Sequence, residues 1–145
     1  MKRGRTEAAI ERMDRECVAM RLRMLDRVVT GIHEDELRPL GLKVTQLVIL
    51  AQTASRARVL PAELCHILHL DPSTLSRNLE RMRARGWLEE LPGQDERSRP
   101  FRLSASGRKL LRDAIPAWER GHRRALRVLG RDGASWLRRV TRDLA

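Results

Sequence analysis

Tyrosine is absent from the chain and phenylalanine occurs once, at Phe101, so the aromatic platform on which single-strand binders stack bases is missing. The two cysteines, Cys17 and Cys65, are too few for a disulfide framework and form no CxxC pair. No apolar run approaches the roughly 20 residues that span a bilayer. The opening stretch MKRGRTEAAIERMDRE is charged throughout, where a signal peptide carries an apolar segment. A cytoplasmic protein with no membrane partner is the expectation. Glycine-rich phosphate loops, a nucleophile elbow, an HExxH helix and usefully spaced paired carboxylates are all missing, so no enzyme and no cofactor are expected.

What is present is arginine. Lys and Arg number 30 against 19 acidic residues, a net charge of +11, and only three of the 30 are lysine. A GC-rich coding bias can account for that ratio but not for the excess of positive charge. Arginine's planar fork suits phosphates and guanine edges, so the balance points to a polyanionic partner, nucleic acid first. At 145 residues the chain fits one domain with a real core.

Periodicity supplies the architecture. From Thr6 to Ile32 the pattern is helical, with Ile10, Met13, Cys17, Met20 and Met24 on one stripe and Val18, Leu22, Leu25, Val29 and Ile32 on another. Together they cover an apolar arc of about 200°, wider than the roughly 100° that one core requires. A second subunit is the simple way to cover it. RPLGL at 38–42 breaks the chain. Val44–Ser55 reads as a helix with Leu47, Leu50, Ala51 and Ala54 inward, and RVL at 58–60 as a short strand. Pro61 opens a third helix, with Leu64, Ile67 and Leu68 inside. Asp71 caps a fourth, with Pro72 at its first position, Leu75, Leu79 and Met82 inside, and Gly86 at its end. GWLEEL and PFRL alternate as strands around the charged loop PGQDERSR. Ser104 caps a long helix through Leu129, bent at Pro116, and Asp132 caps a last one carrying Trp136, Leu137, Val140 and Leu144.

Two helices joined by a short turn and followed by strand, loop and strand make a winged helix-turn-helix. With Leu75, Leu79 and Met82 facing the domain, the opposite face carries Ser73, Ser76, Arg77, Glu80, Arg81 and Ala84. The N-terminal residues of such a helix enter the major groove, and its free N–H groups favour a phosphate. The order of elements, the stretch PAELCHILHLDPSTLSRNLERMRARGWLEEL and the wing DERSRPFRLSASG resemble the MarR family of bacterial transcriptional regulators. The family's D-x-R wing, L-[ST] and following glycine fall on Asp95, Arg97, Leu103, Ser104 and Gly107. The resemblance implies a mainly α fold with a small β-wing (α+β). The winged lobe would span 44–104, with dimerisation helices at 6–38 and 105–145, in a single domain over 1–145.

It further implies a regulator, expected to be a repressor, that binds a pseudo-palindromic double-stranded DNA operator as a homodimer. Ser73, Ser76 and Arg77 would read or clamp the major groove, with Thr74 and Arg81 beside them. Arg97 would reach the minor groove from the wing tip while Asp95 supports the wing; Arg99 is a further candidate that can instead pair with Glu96 or a phosphate. Two departures stand out: His69 occupies a turn position where the family has glycine, and Cys65 a position where alanine is usual. Family members bind small aromatic or phenolic ligands between dimer core and DNA-binding lobe, which here would be bounded by Met20, Arg21, Met24, Val44, Leu47 and Trp118. Core packing is the ordinary alternative for Trp118. Cys17 lies near the reactive cysteine of the family's peroxide sensors, but the tyrosines that hold that cysteine are missing here, so packing competes with a redox role. Cys65, His66 and His69 make no convincing metal set, since Cys65 points inward and His66 outward. A dimerising anti-repressor that does not itself bind DNA is the remaining alternative.

Overall fold

The computed structural model describes residues 2–93 and 99–142. In chain order its elements are α1 (Lys2–Glu16), α2 (Val18–Leu37), a 3-10 turn (Arg38–Leu40), α3 (Val44–Arg56), α4 (Pro61–Leu68), α5 (Pro72–Ala84), β1 (Leu88–Glu90), β2 (Phe101–Leu103) and α6 (Ala105–Arg142). The architecture is mainly helical with one small antiparallel sheet, a winged helix-turn-helix carried between long flanking helices.

The core lies within the lobe. Leu75, Leu79 and Met82 of α5 pack with Leu47, Ile49 and Leu50 of α3, Leu64 of α4, and Val59, Leu88, Phe101 and Leu103 around the sheet. Each such side chain contributes about 1.5–3 kcal/mol by leaving water. Leu37 and Leu42 close it from below, and Ala114 and Ala117 bring α6 against it. The strands pair with Leu88 opposite Leu103, Glu89 opposite Arg102 and Glu90 opposite Phe101. Val59 adds an isolated bridge to Phe101 where a short strand was expected.

The inward face of α3 is rotated from the expected one. Gln46, Leu47, Ile49, Leu50 and Thr53 are buried, whereas Ala51 and Ala54 are exposed. Alanine fits either side of a helix, and Thr53 can be buried because its Oγ1 donates to the Ile49 carbonyl at 2.8 Å. The N-terminal helix expected over 6–32 is two helices. Cys17, at φ −61° and ψ 106°, interrupts it in extended backbone. No proline or glycine marks that break. At the other end α6 runs through Pro116, and the interruption falls at Gly130 (φ 67°, ψ 173°), one residue beyond the expected boundary.

A close approach and a forked ion pair help tie α2 to α6. Gly121 lets the helices approach, since a Cβ there would stand 3.1 Å from the His33 ring. Glu36 accepts from Arg120 Nε at 2.8 Å and Arg124 Nη1 at 2.9 Å. Those two guanidiniums hold the Glu36 carboxyl below the usual glutamate range. Large apolar side chains of the flanking helices are nonetheless exposed: Ile10, Met13, Val18, Leu22 and Met24 on α1 and α2, and Ile115, Val128, Trp136 and Val140 on α6. Among the described residues no helix is long and apolar enough to cross a membrane.

Candidate nucleic-acid interface

The helix that presents the interface is fixed at both ends. Pro72 occupies its first turn, and Asp71 Oδ1 accepts from the Thr74 N–H at 2.8 Å and from Ser73 Oγ at 2.6 Å. Those donors, the Ser73 hydroxyl first, hold the Asp71 carboxyl far below the usual aspartate range. The turn before it passes through His69 in left-handed conformation (φ 49°, ψ 39°). There the Leu70 N–H returns to the Cys65 carbonyl at 3.1 Å, the bond that closes a helix end in this way. At the far end Gly86 (φ 68°) turns the chain into β1. Ser104 and Ser106 both donate to the Gly86 carbonyl at 2.5 Å, so the start of α6 is stitched to the end of α5.

With its inner stripe buried, α5 turns Ser73, Ser76, Arg77, Glu80 and Arg81 to solvent, and Thr74 is half-buried. Arg77 leans over Thr74 Oγ1 at 3.5 Å. Ser73 serves the cap, because its proton is committed to Asp71. Ser76, Arg77 and Arg81 are the side chains of the expected set left to meet a partner with donors.

Asp95 and Arg97 lie outside the described residues. Arg99 does not stand out from the wing: its Nη1 donates to Glu90 Oε1 at 2.9 Å, while Arg83 Nη1 donates to Glu90 Oε2 at 2.6 Å. Glu90 thus joins the end of α5 to the returning arm of the wing, and the two arginines depress its pKa. Sequence reasoning missed this residue. The signal lay in the register: Glu90 faces Phe101, so Arg99 is its diagonal neighbour, within reach of long side chains.

An open apolar pocket of about 760 Å³ lies between α2, α3 and α6, lined among others by Val29, Val44, Leu47, Ala51, Leu111 and Trp118. Leu47 and Trp118 belong to the expected ligand site; Met20, Arg21 and Met24 do not reach it. Met24 and Met20 precede Val29 by five and nine residues, ~8 and ~14 Å along a helix, and Arg21 instead donates to the Arg15 carbonyl. Trp118 stacks on His122 with ring centroids 5.0 Å apart. Cys17 is half-buried at the helix break, and Cys65 is half-buried against the lobe core. Among the described residues no group of three or more His, Cys, Asp or Glu side chains could hold a metal ion.

A capped helix presented by a tight turn, with a two-stranded wing folded back beside it, defines a winged helix-turn-helix protein. Residues 40–98 match the MarR family model, so over that segment the chain is similar to the MarR family. It is 33% identical over 85 residues to the multiple antibiotic resistance protein MarR of Salmonella typhimurium, a match covering 58% of this chain and 59% of that one. The chain thus spans well under two thirds of the length of this curated relative. Among solved structures it resembles a mutant MarR from Escherichia coli complexed with operator DNA, with a TM-score of 0.79 at 21% identity, covering 92% of this chain and 96% of that one. It also resembles Bordetella bronchiseptica BpsR, whose structure addresses regulation of DNA binding by 6-hydroxynicotinic acid, with a TM-score of 0.75 at 20% identity and coverage of 90% and 95%.

Proposed function

We propose that this protein is a DNA-binding transcriptional regulator, a repressor that acts as a homodimer on a pseudo-palindromic operator. The observation that carries the reading is the face of α5: a buried Leu75–Leu79–Met82 stripe aims Ser76, Arg77 and Arg81 outward from a helix whose N-terminus is locked by Asp71. Arg77 reads a base edge and Ser76 and Arg81 clamp beside it, while Arg97 extends the contact to the minor groove and Asp95 supports it. The bare apolar stretches of α1, α2 and α6 favour a homodimer, because exposed surface of that kind in a charged chain marks an interface. Half-sites then lie about one helical turn, roughly 10 bp, apart.

The pocket beside Trp118 supports control by a small effector. Among the described residues its lining includes no arginine or lysine, so an uncharged aromatic effector fits it, not a carboxylate anchored by Arg21. Fluorescence anisotropy with duplexes tiling the gene's own upstream region tests the reading. Sequence-dependent binding that weakens steeply with salt is expected. Equal affinity for every duplex, or a monomer in light scattering at micromolar concentration, refutes it.

A further inference from the structure

A cleft of about 550 Å³ lies between α4, the recognition helix and the wing; most of its lining is apolar, and its polar residues are Ser76, Glu80, Arg83, Glu90 and Arg99. If α5 lies in a major groove and the wing in the neighbouring minor groove, the sugar-phosphate strand between those grooves crosses this cleft. In a chain of net charge +11 a row of cations would be the simple lining. The cleft instead balances Arg83 and Arg99 against Glu80 and Glu90, and the two arginines converge on one carboxylate.

We infer that Glu90 is an internal competitor for DNA phosphate: it occupies the Arg83 guanidinium, from the side of α5 that faces the wing, and thereby caps the protein's sequence-independent affinity. This rests on the DNA-binding reading above. The geometry favours competition over mere support. Glu90 Oε2 meets Arg83 Nη1 at 2.6 Å, yet the Arg83 side chain remains 56% exposed while that of Glu90 is only 19% exposed. Arg83 can turn outward from its own helix, whereas Glu90 is held in the sheet beside Phe101. A phosphate arriving in the cleft meets an arginine already neutralised, so the contact that would strengthen binding to any sequence is muted. Such a residue preserves discrimination, since phosphate contacts add affinity without reading bases.

The test is anisotropy titration of wild type and Glu90→Gln on an operator duplex and a scrambled duplex over a range of salt. Gln keeps the shape and one acceptor, so the fold is retained, and circular dichroism verifies it. One released arginine adds a phosphate contact. The slope of log K against log salt then steepens by about 0.9, and affinity for both duplexes rises about eightfold at 0.1 M salt. The double variant Glu90→Gln with Arg83→Ala should lose that gain. Weaker binding by Glu90→Gln at unchanged slope would make Glu90 a wing support and overturn the inference, as would no change in either quantity. If wild type binds neither duplex while remaining folded, the DNA-binding reading itself fails, and this inference with it.

Discussion

Gly107 offers the sharpest test of the packing. It lies at the third residue of α6, and a Cβ built there would stand 2.0 Å from the Trp87 carbonyl oxygen and 3.0 Å from its carbon. Both are backbone atoms, so no rotamer change relieves the clash; about 1.4 Å of opening is needed to bring the oxygen out to ordinary contact at 3.4 Å. The same carbonyl accepts the Ser104 N–H at 3.1 Å, and the Gly107 N–H donates to Ser104 Oγ at 2.9 Å. Gly107→Ala therefore combines overpacking, about 1–3 kcal/mol, with loss of about one hydrogen bond, ~1 kcal/mol. It regains about 1 kcal/mol of helix propensity. A net loss of about 1–3 kcal/mol is expected, lowering Tm by about 2–12 °C at 2–4 °C per kcal/mol for a chain of this size. Gly31→Ala is the control, because nothing lies within 4 Å of its Cβ position in α2. The same chemical change there should stabilise by about 0.5–1 kcal/mol. Urea unfolding followed by tryptophan fluorescence, at fixed protomer concentration because an oligomer's stability depends on it, measures both. Equal effects at the two sites, or wild-type stability for Gly107→Ala, would refute the steric argument.

Met82, fully buried in the lobe core, should lose about 2–5 kcal/mol on replacement by alanine in the same urea assay. His69→Gly should stabilise by about 1 kcal/mol, since a left-handed backbone strains a residue with a Cβ. Asp71 has a depressed folded-state pKa, so its contribution to stability is fully present above the unfolded aspartate value of about 3.9 and is lost as pH falls through the range below it. Asp71→Ser keeps a capping oxygen without the charge and should flatten stability against pH in that acid range. Arg77→Ala should weaken operator binding by about 1–3 kcal/mol and relax preference at one base pair, if Arg77 makes a forked base contact; uniform weakening across sequences would assign it to phosphate.

Much of the winged lobe is legible in the sequence because its signals are local. The Asp71–Pro72 cap, the 75–79–82 stripe and the turn at Gly86 depend on neighbours within a few residues, and each is found where periodicity puts it. The left-handed His69 is legible too, from a turn position that favours glycine. What sequence reasoning missed depends on distant partners. The Glu90 junction needs the strand register. The orientation of α3 turns on alanines that fit either face. The pocket boundary depends on how far along α2 the last helix packs, which Gly121 and Glu36 decide from residues some 85 positions away. The break at Cys17 carries no glycine or proline signal and lies where α1 and α2 meet little of their own chain.

That placement of the pocket makes a chemical prediction about control. A carboxylate entering a cavity without a lysine or arginine in its lining loses hydration and gains no opposite charge, whereas the corresponding amide loses far less. The polar lining groups are already engaged within the chain. Ser55 Oγ donates to the Gln52 carbonyl at 3.0 Å, and His33 Nδ1 sits 2.9 Å from the Val29 carbonyl, which leaves Nε2 as the ring's acceptor in the neutral form. A neutral aromatic molecule with one N–H or O–H donor suits that arrangement. The pocket also touches the joint where His33 meets Gly121, so a ligand that spreads α2 from α6 changes how the lobes are held. Release of DNA requires tighter binding to the spread arrangement, by about 1.4 kcal/mol for each tenfold loss of affinity. The measurement is a paired titration of benzamide and benzoate, then salicylamide and salicylate, at pH 8. Quenching of Trp118 is read against a Trp118→Phe control and compared with operator binding. The amides should bind at least tenfold more tightly than the acids. Equal or tighter binding of the acids, with the signal still dependent on Trp118, would show that a cation reaches the pocket and that the uncharged-ligand argument is wrong.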